Sequence, residues 1–218
     1  MVACVLLGGL ATRGQDSTPP PVDDLVAAIQ ARYDTVHDFS TDFEHRYSGG
    51  VLRTTAVEHG TVYVKKPGKW RFDYTAPEKK LYVSDGETLH AYFPADRQVI
   101  VSQMEPDTGA STPALFLAGQ GDLARDFTVT YPDTTEVPPN SWFVRLTPTR
   151  GDTDYEWLTL ALDPNTLAIR QMVAFDFQGA HSSFTFLNLK ENQGLSDNLF
   201  VFEIPRDTDV ITDESFPR

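Results

Sequence analysis

One cysteine, Cys4, stands in a chain of 218 residues. A single thiol excludes a disulfide framework and any metal site built from cysteines. Positive charge is scarce as well: 18 lysines and arginines face 31 acidic residues, a net charge of -13. A surface of that sign repels phosphate, which excludes a nucleic-acid binder and opposes docking on anionic head groups. Only six of the basic residues are lysines, so adaptation to salt is a second reading of the same acidity. Long apolar runs are missing too. Met1 to Ala11 (MVACVLLGGLA) is apolar and ends on small residues like a signal-peptidase site, but it is too short to span a bilayer, and no later stretch qualifies. It lacks a basic n-region, so the expected start lies upstream of Met1. Cys4 reads either as an apolar residue of that discarded segment or as a remnant of an acylation box.

Catalytic signatures are also lacking. There is no G-x-S-x-G elbow, no phosphate-binding loop, no dinucleotide-binding glycine pattern and no H-E-x-x-H. His37, His45, His59, His90 and His181 have no ligand-like spacing. His45 and His59 can neighbour across strands, in a surface or pairing role rather than as metal ligands. Asp152, Asp154 and Glu156 read as a solvated turn before a weak calcium site. No enzyme, metal or cofactor is expected.

What the chain has is strands. Residues 1–11 read as a signal-peptide remnant, 12–21 as a flexible leader with three prolines, and 22–218 as one domain. Asp23 to Val36 has helical periodicity, with Leu25, Ile29 and Tyr33 four apart and two aspartates at the positive end of the dipole. From Asp38 on, short β-rich runs recur at roughly ten-residue spacing with turns between them, the pattern of an antiparallel meander large enough to curl. Trp70-Arg71-Phe72-Asp73-Tyr74 alternates, with three aromatics on one face and two charges on the other. Leu199 to Ile204 reads as the last strand. Ser111 to Gly119 (STPALFLAG) reads as a short apolar helix with a capping hydroxyl and an N1 proline. So greasy a connector has to cover something. The large apolar residues either form an ordinary core under the helices or line a cavity between the concave face and a lid helix.

Val62-Tyr63-Val64-Lys65-Lys66-Pro67-Gly68-Lys69-Trp70-Arg71-Phe72-Asp73-Tyr74, running on to Val83-Ser84-Asp85-Gly86, resembles the LolA family of periplasmic outer-membrane lipoprotein carriers. Thr112-Pro113, Asp176-Phe177-Gln178-Gly179 and Phe200-Val201-Phe202-Glu203-Ile204-Pro205 match in order, and the resemblance covers about residues 22 to 211. It implies a mainly β fold: a strongly curved antiparallel sheet forming an unclosed β-barrel of about eleven strands, covered by a lid of short α-helices. It implies a monomeric, exported, periplasmic carrier of acylated lipoproteins. Its partners would be an inner-membrane ATP-driven extractor and an outer-membrane acceptor. Strand parity and family position together assign the cavity lining to Tyr33, Trp70, Phe72, Tyr74 and the lid residues Leu115 and Leu117. Lys66 stands where the family has an arginine that latches the lid. Lysine lacks the planar fork, so Arg71 is considered as a helper, and Lys66 is expected to reach the Ser111–Gly119 helix. His90 stands where the family often has a large aromatic, which marks a weaker stretch of cavity wall. Two other classes stay open: a half-barrel sensing domain of an envelope-stress regulator, and a lipid hydrolase.

Overall fold

The structure, a computed structural model, describes residues 19–49, 54–104, 121–134, 137–151 and 153–213. The chain enters along Pro19 to Pro21 and turns into helix α1, Val22–Asp34. Asp23 and Asp24 sit in its first turn and Arg32 in its last, the signs that the helix dipole favours. Leu25 and Ile29, one turn apart, are its buried face. The helix stops at Thr35, whose hydroxyl donates to the Arg32 carbonyl at 2.6 Å.

Among the described residues eleven antiparallel strands follow: β1 (Asp38–Gly49), β2 (Thr54–Lys65), β3 (Lys69–Ala76), β4 (Lys80–Ser84), β5 (Thr88–Phe93), β6 (Gln98–Gln103), β7 (Phe127–Thr130), β8 (Trp142–Pro148), β9 (Trp157–Leu162), β10 (Ile169–Phe175) and β11 (His181–Glu191). A short helix α2, Leu123–Asp126, precedes β7, with the Asp122 carboxylate accepting from the Arg125 amide. The last strand, β12 (Asp209–Asp213), pairs in parallel with β6. The order is β12-β6-β5-β4-β3-β2-β1-β11-β10-β9-β8-β7, one twelve-stranded sheet whose outer strands do not meet. The unclosed barrel is therefore present, with a parallel strand added at one edge.

The sheet curls hard. Phe72 on β3 and Phe184 on β11 lie three strands apart, which is ~14 Å along a flat sheet, yet their ring centres are 6.1 Å apart. Gly60 on β2 permits this. A Cβ there would fall 2.2 Å from the Asp73 carbonyl and 2.6 Å from the Phe43 ring, and the β2–β3 register shifts beside it. The concave face of β8 to β10 is filled by Val144, Leu146, Leu158, Leu160, Leu162 and Met172, all essentially sealed from water. Helices α1 and α2 pack over that half.

The expected strand at Leu199 to Ile204 is not one. Ser196 caps a 3-10 turn, Asp197–Phe200, and the chain then crosses the convex face as an irregular segment. Its polar groups bond to side chains instead of a ladder: Lys65 donates to the Leu195 carbonyl at 2.8 Å and Arg71 to the Leu199 carbonyl at 3.2 Å. Alternating Phe200 and Phe202 mimic a strand in sequence, and they anchor this strap. Beneath it Val83 and Val99 on the convex face are fully buried.

Candidate functional site: an apolar cavity on the concave face

The curl leaves a cavity of about 350 Å³. Register decides its walls. Trp70, Phe72 and Tyr74 share one face of β3 and are each less than a tenth exposed, while Arg71 and Asp73 face the other way and pair at 2.9 Å. Phe43 sits behind them, with ring centres 5.7 Å from Phe72, 4.9 Å from Tyr74 and 5.8 Å from Phe184. Tilted and edge-on geometries of this kind add to the burial itself. Met172 and Phe184 close the opposite wall. The indole Nε1 of Trp70 is buried and has no hydrogen-bond partner among the described residues.

Of the expected lining, Trp70, Phe72 and Tyr74 come together here. Tyr33 does not. It lines a second, smaller pocket of about 50 Å³ with Ile29, Val36, Phe39, Leu123 and Phe186, under the end of α1. The helical period that put it on the same face as Leu25 and Ile29 says nothing about which part of a long sheet lies below. Leu115 and Leu117 lie outside the described residues, as does the whole Ser111–Gly119 segment.

Lys66 ties the sheet to a helix, and among the described residues that helix is α1. Its ammonium donates to the Tyr33 carbonyl at 2.6 Å and stands 3.2 Å from the centre of the Tyr33 ring. Burial pushes its pKa down to about 8, against the pull of Asp34. Arg71 serves the strap and not the helix. His90 belongs to the convex face, where its ring lies 5.3 Å from Phe202, so it forms no part of the cavity wall.

A polar group intrudes on the apolar wall. On the concave face His45 of β1 lies directly across from Glu58 of β2. The Glu58 carboxylate stands 3.3 Å from His45 Nδ1 and 2.5 Å from the Lys80 ammonium. His45 stacks on Phe184, centres 4.2 Å apart and rings 3° from parallel, with the Tyr74 hydroxyl 3.4 Å from Nδ1. Burial lowers the imidazole's pKa, and Glu58 opposes this. Burial also raises the phenols of Tyr74 and Tyr82. The pairing of His45 with His59 that the sequence suggests is not the one formed. A one-residue step in register gives it Glu58 as its partner, and parity with Phe43 was the signal that it points inward. His59 is exposed.

The fold and the hollow define a class: an open half-barrel with an aromatic-walled cavity on its concave side. Residues 34–203 match the family described as "Outer membrane lipoprotein carrier protein LolA". The outer-membrane lipoprotein carrier protein of Dechloromonas aromatica is 31% identical over 185 residues, covering 82% of this chain and 86% of that one. Its counterpart in Pseudomonas paraeruginosa is 32% identical over 165 residues, covering 75% and 74%. Among solved structures, an uncharacterized conserved protein from Thermus thermophilus superposes with a TM-score of 0.55 at 10% identity, over 88% of this chain and 99% of that one. That likeness speaks for the fold. The chain belongs to the LolA family of lipoprotein carriers.

Proposed function

We propose that this chain takes the acyl chains of lipoproteins into the concave cavity and carries them through the periplasm from the inner to the outer membrane. It would receive cargo from an ATP-driven extractor and yield it to an acceptor. The observation that supports this most is the cavity itself, walled by Trp70, Phe72, Tyr74, Met172 and Phe184. Each methylene taken out of water is worth about 0.8 kcal/mol, so an aromatic hollow holds a long chain without any covalent step. No helix among the described residues is long and apolar enough to cross a membrane.

Expression with an acylated lipoprotein, followed by mass spectrometry of what co-purifies, tests the reading. The acylated form should be retained and its unacylated cysteine variant should not. Phe72→Glu, checked for fold by circular dichroism, should release it. Equal retention of the unacylated form would defeat the proposal, as would turnover of the lipid by pure protein.

A further inference from the structure

A sheet that does not close has two edges, and each edge strand shows a row of backbone N–H and C=O groups to whatever lies beside it. The two edges of this sheet differ. At one, β7 lies against α1 and α2, and Tyr131 just beyond it donates its hydroxyl to the Pro20 carbonyl at 2.7 Å. At the other, β12 has β6 on one side and, among the described residues, no further strand on the other.

The parallel pairing decides which groups are free. The Asp209 amide donates to the Arg97 carbonyl of the β6 side at 2.8 Å. Backbone groups alternate sides along a strand, so Asp209 and Ile211 turn theirs to β6, while Val210 and Thr212 turn theirs outward. The five pairs run without a bulge, and the strand contains neither proline nor lysine. Of the usual guards against edge pairing, only brevity and an aspartate at each end remain. The side chains are open too: Val210 is 51% exposed on one face and Ile211 46% on the other. Charge is one-sided here. Glu203, Asp207 and Asp209 are all exposed, and Arg206 is the one basic residue from Val201 to Thr212. Asp213 ends the strand, and Glu214 follows it in the sequence.

We propose that the free edge of β12 is a docking site for an extended basic segment of a partner protein, which joins the sheet as an added strand. Main-chain bonds form to Val210 and Thr212. Specificity comes from lysine or arginine beside Asp209 and from β-branched residues beside Val210 and Ile211. A second copy of this chain is the wrong occupant. Two β12 strands side by side set Asp209 against Asp213 when antiparallel, and each aspartate near its twin when parallel, and like charges placed opposite are destabilising. None of these residues lines the concave cavity, so the inference stands apart from the acyl-carrier reading and neither falls with the other.

The test is titration of the full chain with a fluorescent peptide of sequence KVTVTVK and with its charge-reversed counterpart EVTVTVE, read by anisotropy and by amide exchange. One basic peptide per chain is expected, bound about tenfold tighter than the acidic one at low salt, with the gap narrowing as salt is raised. Exchange at the Val210 and Thr212 amides should slow. Asp209→Lys should reduce or reverse the preference. Val210→Pro should lose the peptide and keep the sheet, because an edge strand tolerates proline where the missing N–H faces out. Equal binding of the two peptides, binding of neither, or binding that leaves exchange at Val210 and Thr212 unchanged overturns the proposal. Concentration-dependent dimers that protect the same amides without peptide overturn it as well, and make a second copy the occupant. Should Val210→Pro fail to fold, the peptide preference of Asp209→Lys decides.

Discussion

The ammonium of Lys66 lies 2.6 Å from the carbonyl oxygen of Tyr33 and 3.2 Å from the centre of the same residue's ring. One cation thus adds a second hydrogen bond to a carbonyl in the last turn of α1 that already accepts from the Val36 amide at 3.2 Å, and stacks on the aromatic beside it. A charge-assisted bond contributes about 1.5–3 kcal/mol and a cation–π contact about 0.5–2 kcal/mol. Lys66→Leu should loosen the end of α1. Amide exchange at Thr35 and Val36, whose N–H groups bond to Arg32 and Tyr33, should quicken by about tenfold or more, and Lys66→Arg should hold it near the native rate. In a transfer assay the leucine variant should still accept lipoprotein and deliver it poorly. Unchanged exchange at both amides would place the latch elsewhere.

The same lysine predicts a pH dependence. Burial holds its folded pKa at about 8 against an ordinary 10.5. Between those values the unfolded chain carries more of this proton than the folded one, so the contribution of Lys66 to stability rises with pH across that window. Denaturant melts of the native chain and of Lys66→Met, taken from about pH 7.5 to about pH 10.5, should show the native chain gaining on the variant. A constant difference between them would mean that Lys66 is more solvated than its packing implies.

Most of the sheet was legible because alternation is a local property. Trp70, Phe72 and Tyr74 follow from the period of two alone, since a one-residue slip would have sent Arg71 and Asp73 inward. The strap was not legible. Leu199 to Ile204 alternates like a strand, and only its three-dimensional neighbours, Arg71 and Lys65 reaching its carbonyls, show that no ladder forms. The place of Tyr33, in the smaller pocket and not in the main cavity, is illegible for a related reason: a helix's apolar stripe fixes which face is buried, not where along the sheet it lands. His45 was underrated because its partner, Glu58, is set by a pairing register that the sequence does not display.

Gly60 is the position where the curl leaves no room. Gly60→Ala would put a methyl against the Asp73 carbonyl and the Phe43 ring. Overpacking of this kind costs about 1–3 kcal/mol, and here both obstacles are rigid. Urea melts should show a loss in that range. A silent substitution would mean that β2 can flatten there, and that the curvature bringing Phe72 to Phe184 is supported by other residues.

Asp38 is a buried carboxylate that accepts from the backbone amides of Gln193, Gly194 and Leu195 at 2.7, 2.9 and 3.2 Å. It gathers the chain leaving β11 into the strap. Asp38→Ala leaves these donors unmet, at about 1–3 kcal/mol, and should raise proteolytic cutting after Glu191 before the sheet itself unfolds. Cutting that begins elsewhere, or not at all, would show that the turn holds without it.

The strap itself separates two sources of stability. Phe200 is 2% exposed in the 3-10 turn that packs against β3, whereas Lys69 reaches Asp197 at 3.1 Å through largely open water. Burial of an aromatic and an exposed ion pair differ sharply in worth. Phe200→Ala should cost about 3–5 kcal/mol, while Lys69→Ala should change stability by at most about 1 kcal/mol. The aromatic matters for a topological reason too: if the strap lifts, Val83 and Val99 are uncovered and β12 loses the run that delivers it parallel to β6. Chemical denaturation of the two variants checks this directly. Equal costs, or a larger one for Lys69→Ala, would mean that charge and not apolar burial clamps the chain across the convex face.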